Sequence, residues 1–305
     1  MRLFELPTHR AAYSDRTAWL MATLSKLAYL RFEDGGIDLA ALDNGLKTLG
    51  LELAEFFDDD HSGTQGFLAV AENRFLVLVF RGTEKNGRDI RTDLRARLYN
   101  TTDGQVHLGF LNAYEGVREA VQQAISRFPD KPAYITGHSL GGALATVATR
   151  DLEPYHRVAA CYTFGSPRVG NSDWSDGLKT PVYRVVNRAD GVPLVPGSML
   201  LIWILTPLTW LPFTGWITNH GYVGYQHAGD LRLLDGPDEA PRLKIGTAAV
   251  MARLYRLTVG RIWDAIRFMS PGILLTLFKD HAVAGYTDRL HRIAEARNPV
   301  DDTDT

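Results

Sequence analysis

Apolar residues fall into two kinds of run along the chain. Unbroken blocks such as Leu76-Val77-Leu78-Val79-Phe80 have the pattern of strands buried on both faces. Blocks in which apolar positions recur every three or four residues have the pattern of helices. In order, residues 1–14 form a polar arm. A helix over 17–30 is carried by Leu20, Leu24, Leu27 and Ala28, with Ser14 or Asp15 as its cap, and a short helix over 39–49 ends at Gly50. Strands over 51–57, 65–71 and 75–80 follow, the last two joined by a turn at Glu72-Asn73. Polar residues 84–105 lead through Val106-His107-Leu108-Gly109-Phe110 to a helix over 111–128, whose apolar positions are Ala113, Val117, Ala120, Val121 and Ile125. Pro129 and Pro132 bound a break before a strand that runs into Gly137. Further strands are predicted over 158–164, 182–186 and 231–234. Strands alternating with helices imply an α/β fold with a mostly parallel sheet, and its functional residues should gather in loops at the carboxyl ends of the strands.

Two stretches depart from that rhythm. Residues 191–229 contain no Asp, Glu, Lys or Arg, and 199–217 are almost wholly apolar. That is long enough to suggest a membrane span, but Pro207, Pro212 and Gly215 interrupt it. Trp203, Trp210 and Trp216 suit a membrane–water interface, so the insert over 197–221 is expected to be a lid or a membrane-contact element, with a packed insert as the plainer alternative. Residues 242–269 carry Arg242, Lys244, Arg253, Arg256, Arg261 and Arg267 against Asp264, with an apolar stripe of Val250, Leu254 and Leu257. A basic helical segment over 245–270 is expected to face lipid. The tail over 298–305 is expected to be disordered, leaving 1–297 as a single domain.

Composition adds exclusions more than direction. A chain of 305 residues with 45% hydrophobic and 22% charged residues and a net charge of −2 is ordinary for a globular protein and has no general pull toward nucleic acid. The one cysteine, Cys161, forbids an internal disulfide and sits in an apolar run, where a buried strand residue is expected. Asp58-Asp59-Asp60-His61 has no second ligand cluster to complete a metal site and is expected to be a solvated turn. The first residues lack a positively charged segment followed by an apolar one. This fits a cytoplasmic protein with peripheral membrane or lipid-droplet contact, or one secreted without a cleaved leader.

The chemistry centres on Gly137-His138-Ser139-Leu140-Gly141, a G-x-S-x-G pattern in the strand–turn–helix context of a nucleophile elbow. Glycine at both flanks admits the tight turn, and the N-terminus of the following helix aims backbone N–H groups at Ser139. A serine needs a base, and the base needs an orienting carboxylate. In elbow folds these follow in the order Ser, acid, His. Asp173, Asp176 and Asp190 are the acid candidates, and Asp190 directly follows a predicted strand. His220, His227, His281 and His291 are base candidates. His281 lies after the last predicted strand and is the first choice, with His227 second.

Several ordered segments resemble the fungal-type (class 3) lipases of the α/β-hydrolase fold. Val79-Phe80-Arg81-Gly82-Thr83 resembles that family's strand leading to the oxyanion hole. Thr92-Asp93-Leu94 and Val106–Phe110 resemble the segments bracketing its lid, and Thr163-Phe164-Gly165-Ser166-Pro167-Arg168-Val169-Gly170 a further signature. The segment 187–193 resembles the acid loop, Tyr225-Gln226-His227-Ala228-Gly229 a segment with a structural histidine, and Asp280-His281 with Tyr286 and Leu290 the segment of the catalytic histidine. The resemblance implies Ser139 as nucleophile, His281 as proton relay and Asp190 as its orienter. It also implies an oxyanion hole from the N–H groups of Thr83 and Leu140, no cofactor and no metal, and acylglycerol esters as substrates at a lipid surface. Phospholipase A1 or a soluble-ester carboxylesterase is the runner-up within the class; outside it stands a non-enzymatic lipid-surface protein on a hydrolase scaffold. The lid position, residues 95–105, is short and not very apolar here, and the acid loop is separated from Tyr225 by the apolar insert.

Overall fold

The computed structural model describes residues 12–30, 38–72, 74–82, 98–196, 224–257 and 280–297. Among them the chain begins with helices α1 (Asp15–Leu27) and α2 (Leu39–Thr48) and strands β1 (Glu52–Asp59), β2 (Thr64–Ala71) and β3 (Phe75–Phe80). A hairpin of β4 (Leu98–Thr101) and β5 (Gly104–His107) precedes α3 (Leu108–Ser126), β6 (Ala133–His138), α4 (Leu140–Leu152) and β7 (Val158–Phe164). A one-turn α5 (Ser172–Asp176), β8 (Val182–Asn187), β9 (Asp230–Asp235), β10 (Arg242–Ile245), α6 (Gly246–Leu257) and α7 (Val283–Arg297) follow.

Eight strands make one sheet in the order β1-β2-β3-β6-β7-β8-β9-β10. β3, β6, β7, β8 and β9 are parallel, and antiparallel pairs close both ends. This is the architecture of an α/β-hydrolase. β3 and β6 are buried at every position because helices cover both faces. Leu76, Leu78 and Phe80 pack on one side with α3 and α4. Phe75, Val77 and Val79 pack on the other with α1, α2 and α7. Cys161 is buried in β7.

Ser14 caps α1 and Asp38 caps α2. Asp59, at the end of β1, accepts from the backbone and hydroxyl of Ser62, which folds residues 60–63 into the hairpin turn. Two elements differ from expectation. The polar stretch before residue 106 contains the β4–β5 hairpin, and α3 starts three residues early because buried His107 caps it, its Nδ1 accepting from Phe110 N–H at 3.3 Å. Residues 242–245 pair with β9 as a strand, so the helix expected there begins at Gly246. Its basic residues do not form one outward face. Arg253 is buried, while Lys244 and Arg256 both pair with Asp235, at 2.7 and 2.5 Å. Residues 258–270 of the expected basic segment, the apolar insert over 197–221 with Trp203, Trp210 and Trp216, and the tail lie outside the described residues. Among the described residues, no helix is long and apolar enough to cross a membrane.

Candidate active site

The tight turn between β6 and α4 holds Ser139 at φ 57° and ψ −127°, a conformation that costs a non-glycine residue on the order of 1–3 kcal/mol. Close backbone packing leaves no room for other residues at its flanks. A Cβ on Gly137 would lie 2.1 Å from the Gly141 carbonyl oxygen, and one on Gly141 would lie 2.3 Å from that of Phe80. Strand pairing continues into the turn, Ser139 N–H donating to the Phe164 carbonyl at 2.9 Å. Leu140 is the first residue of α4, so its amide belongs to the helix end whose partial positive charge favours an anion. Thr83 lies outside the described residues.

Asp190 follows β8 and is fully buried. Its Oδ1 accepts from Val192 N–H at 2.9 Å, and its Oδ2 accepts from the Tyr286 hydroxyl at 2.5 Å and from His281 Nδ1 at 2.9 Å. Burial by itself would raise the Asp190 pKa, but the adjacent His281 and the hydrogen bonds from His281, Tyr286 and Val192 outweigh it, and the pKa falls below the usual carboxylate value. Burial and the neighbouring carboxylate push the Tyr286 phenol well up, so it remains a donor. With Nδ1–H committed to Asp190, Nε2 is the ring nitrogen of His281 left to take up a proton. Among the described residues, both His281 Nε2 and Ser139 Oγ are buried without a hydrogen-bond partner, a cost that calls for a functional explanation.

The segment that delivers His281 is held from several sides. Asn187 Nδ2 donates to the Asp280 carbonyl at 3.0 Å, and Ala189 N–H donates to the Asp280 carboxylate at 3.2 Å. His138 Nε2 donates to the His281 carbonyl at 2.7 Å. Arg253 Nη2 donates to the Asp190 carbonyl at 3.0 Å, tying α6 to the acid loop.

Of the residues singled out from sequence, Asp190 and His281 are brought together and Ser139 stands in the elbow. His227 donates Nε2–H to the Pro193 carbonyl at 2.8 Å. Burial, then the nearby arginines 184, 168 and 253, push its pKa well down. Asp173 and Asp176 belong to α5, and half-buried His291 faces Glu295 at 3.4 Å. His220 lies outside the described residues. Sequence reasoning misses the bonds that His138, Asn187 and Arg253 make here. Only His138 had a visible signal, its place inside the elbow motif. Among the described residues, no group of three or more His, Cys, Asp or Glu side chains could hold a metal ion.

Residues 77–199 match the family model described as lipase (class 3). A lipase of Rhizopus niveus is 35% identical over 154 residues, 44% of this chain and 38% of that one. A secreted mono- and diacylglycerol lipase of Fusarium solani is 38% identical over 113 residues, 35% of this chain and 34% of that one. The chain thus spans little more than a third of the length of these curated relatives. The solved structure of lipase II from Rhizopus niveus shares the fold, with a TM-score of 0.58 at 22% identity, covering 78% of this chain and 88% of that one. The matched segment takes in most of the buried strand β3, the elbow and Asp190, and over it the chain is similar to the class 3 lipases.

Proposed function

We propose that the protein is a serine carboxylic-ester hydrolase of the lipase type, cleaving acylglycerol esters at a lipid–water interface. The observation that carries this reading is the pair Asp190–His281, with His281 Nε2 and Ser139 Oγ both buried and, among the described residues, unpartnered. Ser139 Oγ attacks the ester carbonyl carbon as its proton passes to His281 Nε2. Asp190 holds the ring and stabilises the imidazolium. The negative charge on the former carbonyl oxygen is taken up by the Leu140 N–H, with that of Thr83 as the second donor. Each such donor is worth about 3 kcal/mol in the transition state. Collapse expels the alcohol, which takes the proton from His281. Water, deprotonated by the same nitrogen, then releases the fatty acid from the acyl-enzyme and restores Ser139.

The reading treats residues 1–297 as one domain, with the tryptophan-bearing stretch 197–221 as its lipid-contact element. Secretion is favoured over a cytoplasmic location, because the Fusarium solani relative is named as secreted. A second reading, phospholipase A1, draws on a chloroplastic phospholipase A(1) of Arabidopsis thaliana that is 34% identical over 172 residues, 44% of this chain and 38% of that one. The test is a panel of emulsified tri-, di- and monoacylglycerols, phospholipids and a soluble short-chain ester, run with the wild type and Ser139→Ala. Release of fatty acid from acylglycerols by the wild type alone is expected. Hydrolysis confined to phospholipids would transfer the assignment to the second reading, and hydrolysis of nothing would end both. Deleting 197–221 should lower activity on emulsions far more than on the soluble ester; equal losses would remove that stretch from lipid contact.

A further inference from the structure

His138 occupies the variable position of the elbow, next to the nucleophile, yet the reaction assigns it nothing. It is almost completely buried and its ring lies 4.6 Å from that of His281, tilted by 33°. Its two nitrogens have different partners: Nε2 meets the His281 carbonyl at 2.7 Å, and Nδ1 meets the Tyr29 hydroxyl at 2.9 Å. A carbonyl oxygen can only accept, so Nε2 carries the proton. Burial, then the charge of His281, push the His138 pKa down to about 3, so the ring is neutral and has one N–H. Nδ1 is therefore a bare acceptor, and the Tyr29 hydroxyl must be the donor. The direction of the chain is fixed: Tyr29 O–H to His138 Nδ1, and His138 Nε2–H to the main chain of His281.

Tyr29 comes from the end of α1, far from the elbow in sequence, and it closes on the strand end before Thr83. A Cβ on Gly82 would stand 2.2 Å from the Tyr29 hydroxyl, 2.5 Å from the His138 carbonyl oxygen and 3.2 Å from Ser139 Cβ. The Arg81 guanidinium lies 6.0 Å from the centre of the Tyr29 ring. One phenol thus adjoins the approach to the oxyanion hole and the histidine that grips His281.

We infer that Tyr29 and His138 are positioning residues for the reaction proposed above: they clamp the backbone of His281 while Asp190 clamps its ring, and so set where Nε2 points. The inference rests on the hydrolase reading. Two clamps are needed because a ring held only through Nδ1 can still swing with its main chain, and an error of about an ångström in such a group costs up to about a hundredfold in rate.

The test compares wild type, Tyr29→Phe, His138→Leu and His138→Gln on a soluble short-chain ester. Melting temperatures and the imidazole ¹⁵N shifts are followed alongside. Tyr29→Phe and His138→Leu should each lower kcat about tenfold or more with little change in KM. His138→Gln, whose amide can donate to the same carbonyl, should regain most of the loss. The ¹⁵N shifts should show His138 protonated at Nε2 in the wild type. Tyr29→Phe keeps the ring that packs in place, so its result stands even if His138→Leu fails to fold. Wild-type kcat in Tyr29→Phe, a loss confined to KM, or no rescue by glutamine would overturn the clamp while leaving the hydrolase intact. An inert wild type would overturn the hydrolase reading, and this inference with it.

Discussion

The two halves of the site are fixed in opposite ways. Ser139 is placed by its immediate neighbours: a strand, a turn that only glycine can flank, and a helix, all within 133–152. His281 stands two residues before α7, and the hydrogen bonds described for it and for Asp280 come from far along the chain. Its ring is held by Asp190, its carbonyl by His138, and the preceding residue by Asn187 and Ala189, groups about 90 to 140 positions away. The proposed nucleophile is held by local backbone geometry that leaves no room for a side chain at Gly137 or Gly141. The proposed base is held by long-range bonds involving side chains, each of which can be removed singly. Substitutions on the nucleophile side should therefore act as all-or-none changes, and those on the base side should be graded.

The largest effect is expected from Ser139→Ala, which should lower kcat on the order of 10⁶-fold without altering the melting temperature; steady-state rates on a soluble ester check it. Residual activity within tenfold of wild type would move the nucleophile elsewhere. Asp190→Asn should follow, with a loss of about 10⁴-fold. Asparagine can accept from Tyr286 but presents the wrong partner to His281 Nδ1, and the imidazolium loses its counter-charge. Tyr286→Phe removes one of three donors to the Asp190 carboxylate and should cost about tenfold in kcat, since a hydrogen bond to a charged group contributes about 1.5–3 kcal/mol. A silent Tyr286→Phe would mean that Val192 and His281 alone orient the acid.

His227→Leu should show the contrast in its weakest form. That side chain holds the Pro193 carbonyl, so its loss should lower stability by about 1 kcal/mol while kcat stays close to wild type, as thermal melts and rates would show. A collapse of kcat without loss of stability would give His227 a place in the chemistry. Smaller still is an acid effect at the far edge of the sheet. Burial alone would raise the Asp235 pKa, but hydrogen bonds from Lys244, the Gly236 N–H and Arg256 pull it down to about 2. A carboxylate depressed on folding stabilises above its unfolded pKa, about 3.9, and that contribution is lost as pH falls toward the folded value. The melting temperature of wild type should therefore drop toward that of Asp235→Asn between about pH 4 and pH 2. Parallel curves over that range would show that Asp235 does not tie β10 to α6.

The same contrast explains what was legible in the sequence. The unbroken run of β3, the strands β7 and β8 and the elbow could be read because each is a local pattern: burial on both faces, or glycine where a Cβ would collide. Asp190 and His281 could be named from chain order, but the bonds that hold them could not. Nothing near Tyr29, Asn187 or Arg253 signals a partner far away along the chain. The β4–β5 hairpin was hidden by its polarity, since Tyr99 and Asn100 are exposed and give no buried face to detect. β10 was hidden by its charge: Arg242 and Lys244 look like a solvated helix until Asp235 is seen across the ladder.

Labelling with a fluorophosphonate, followed by peptide mapping, tests the central claim most directly, because the reagent reports on the nucleophile without assuming any substrate. The account predicts a single adduct on the peptide containing Ser139, slowed severely by His281→Ala and by Asp190→Asn. An unlabelled wild type, an adduct on another residue, or labelling of Ser139 at the same rate in all three proteins would contradict it.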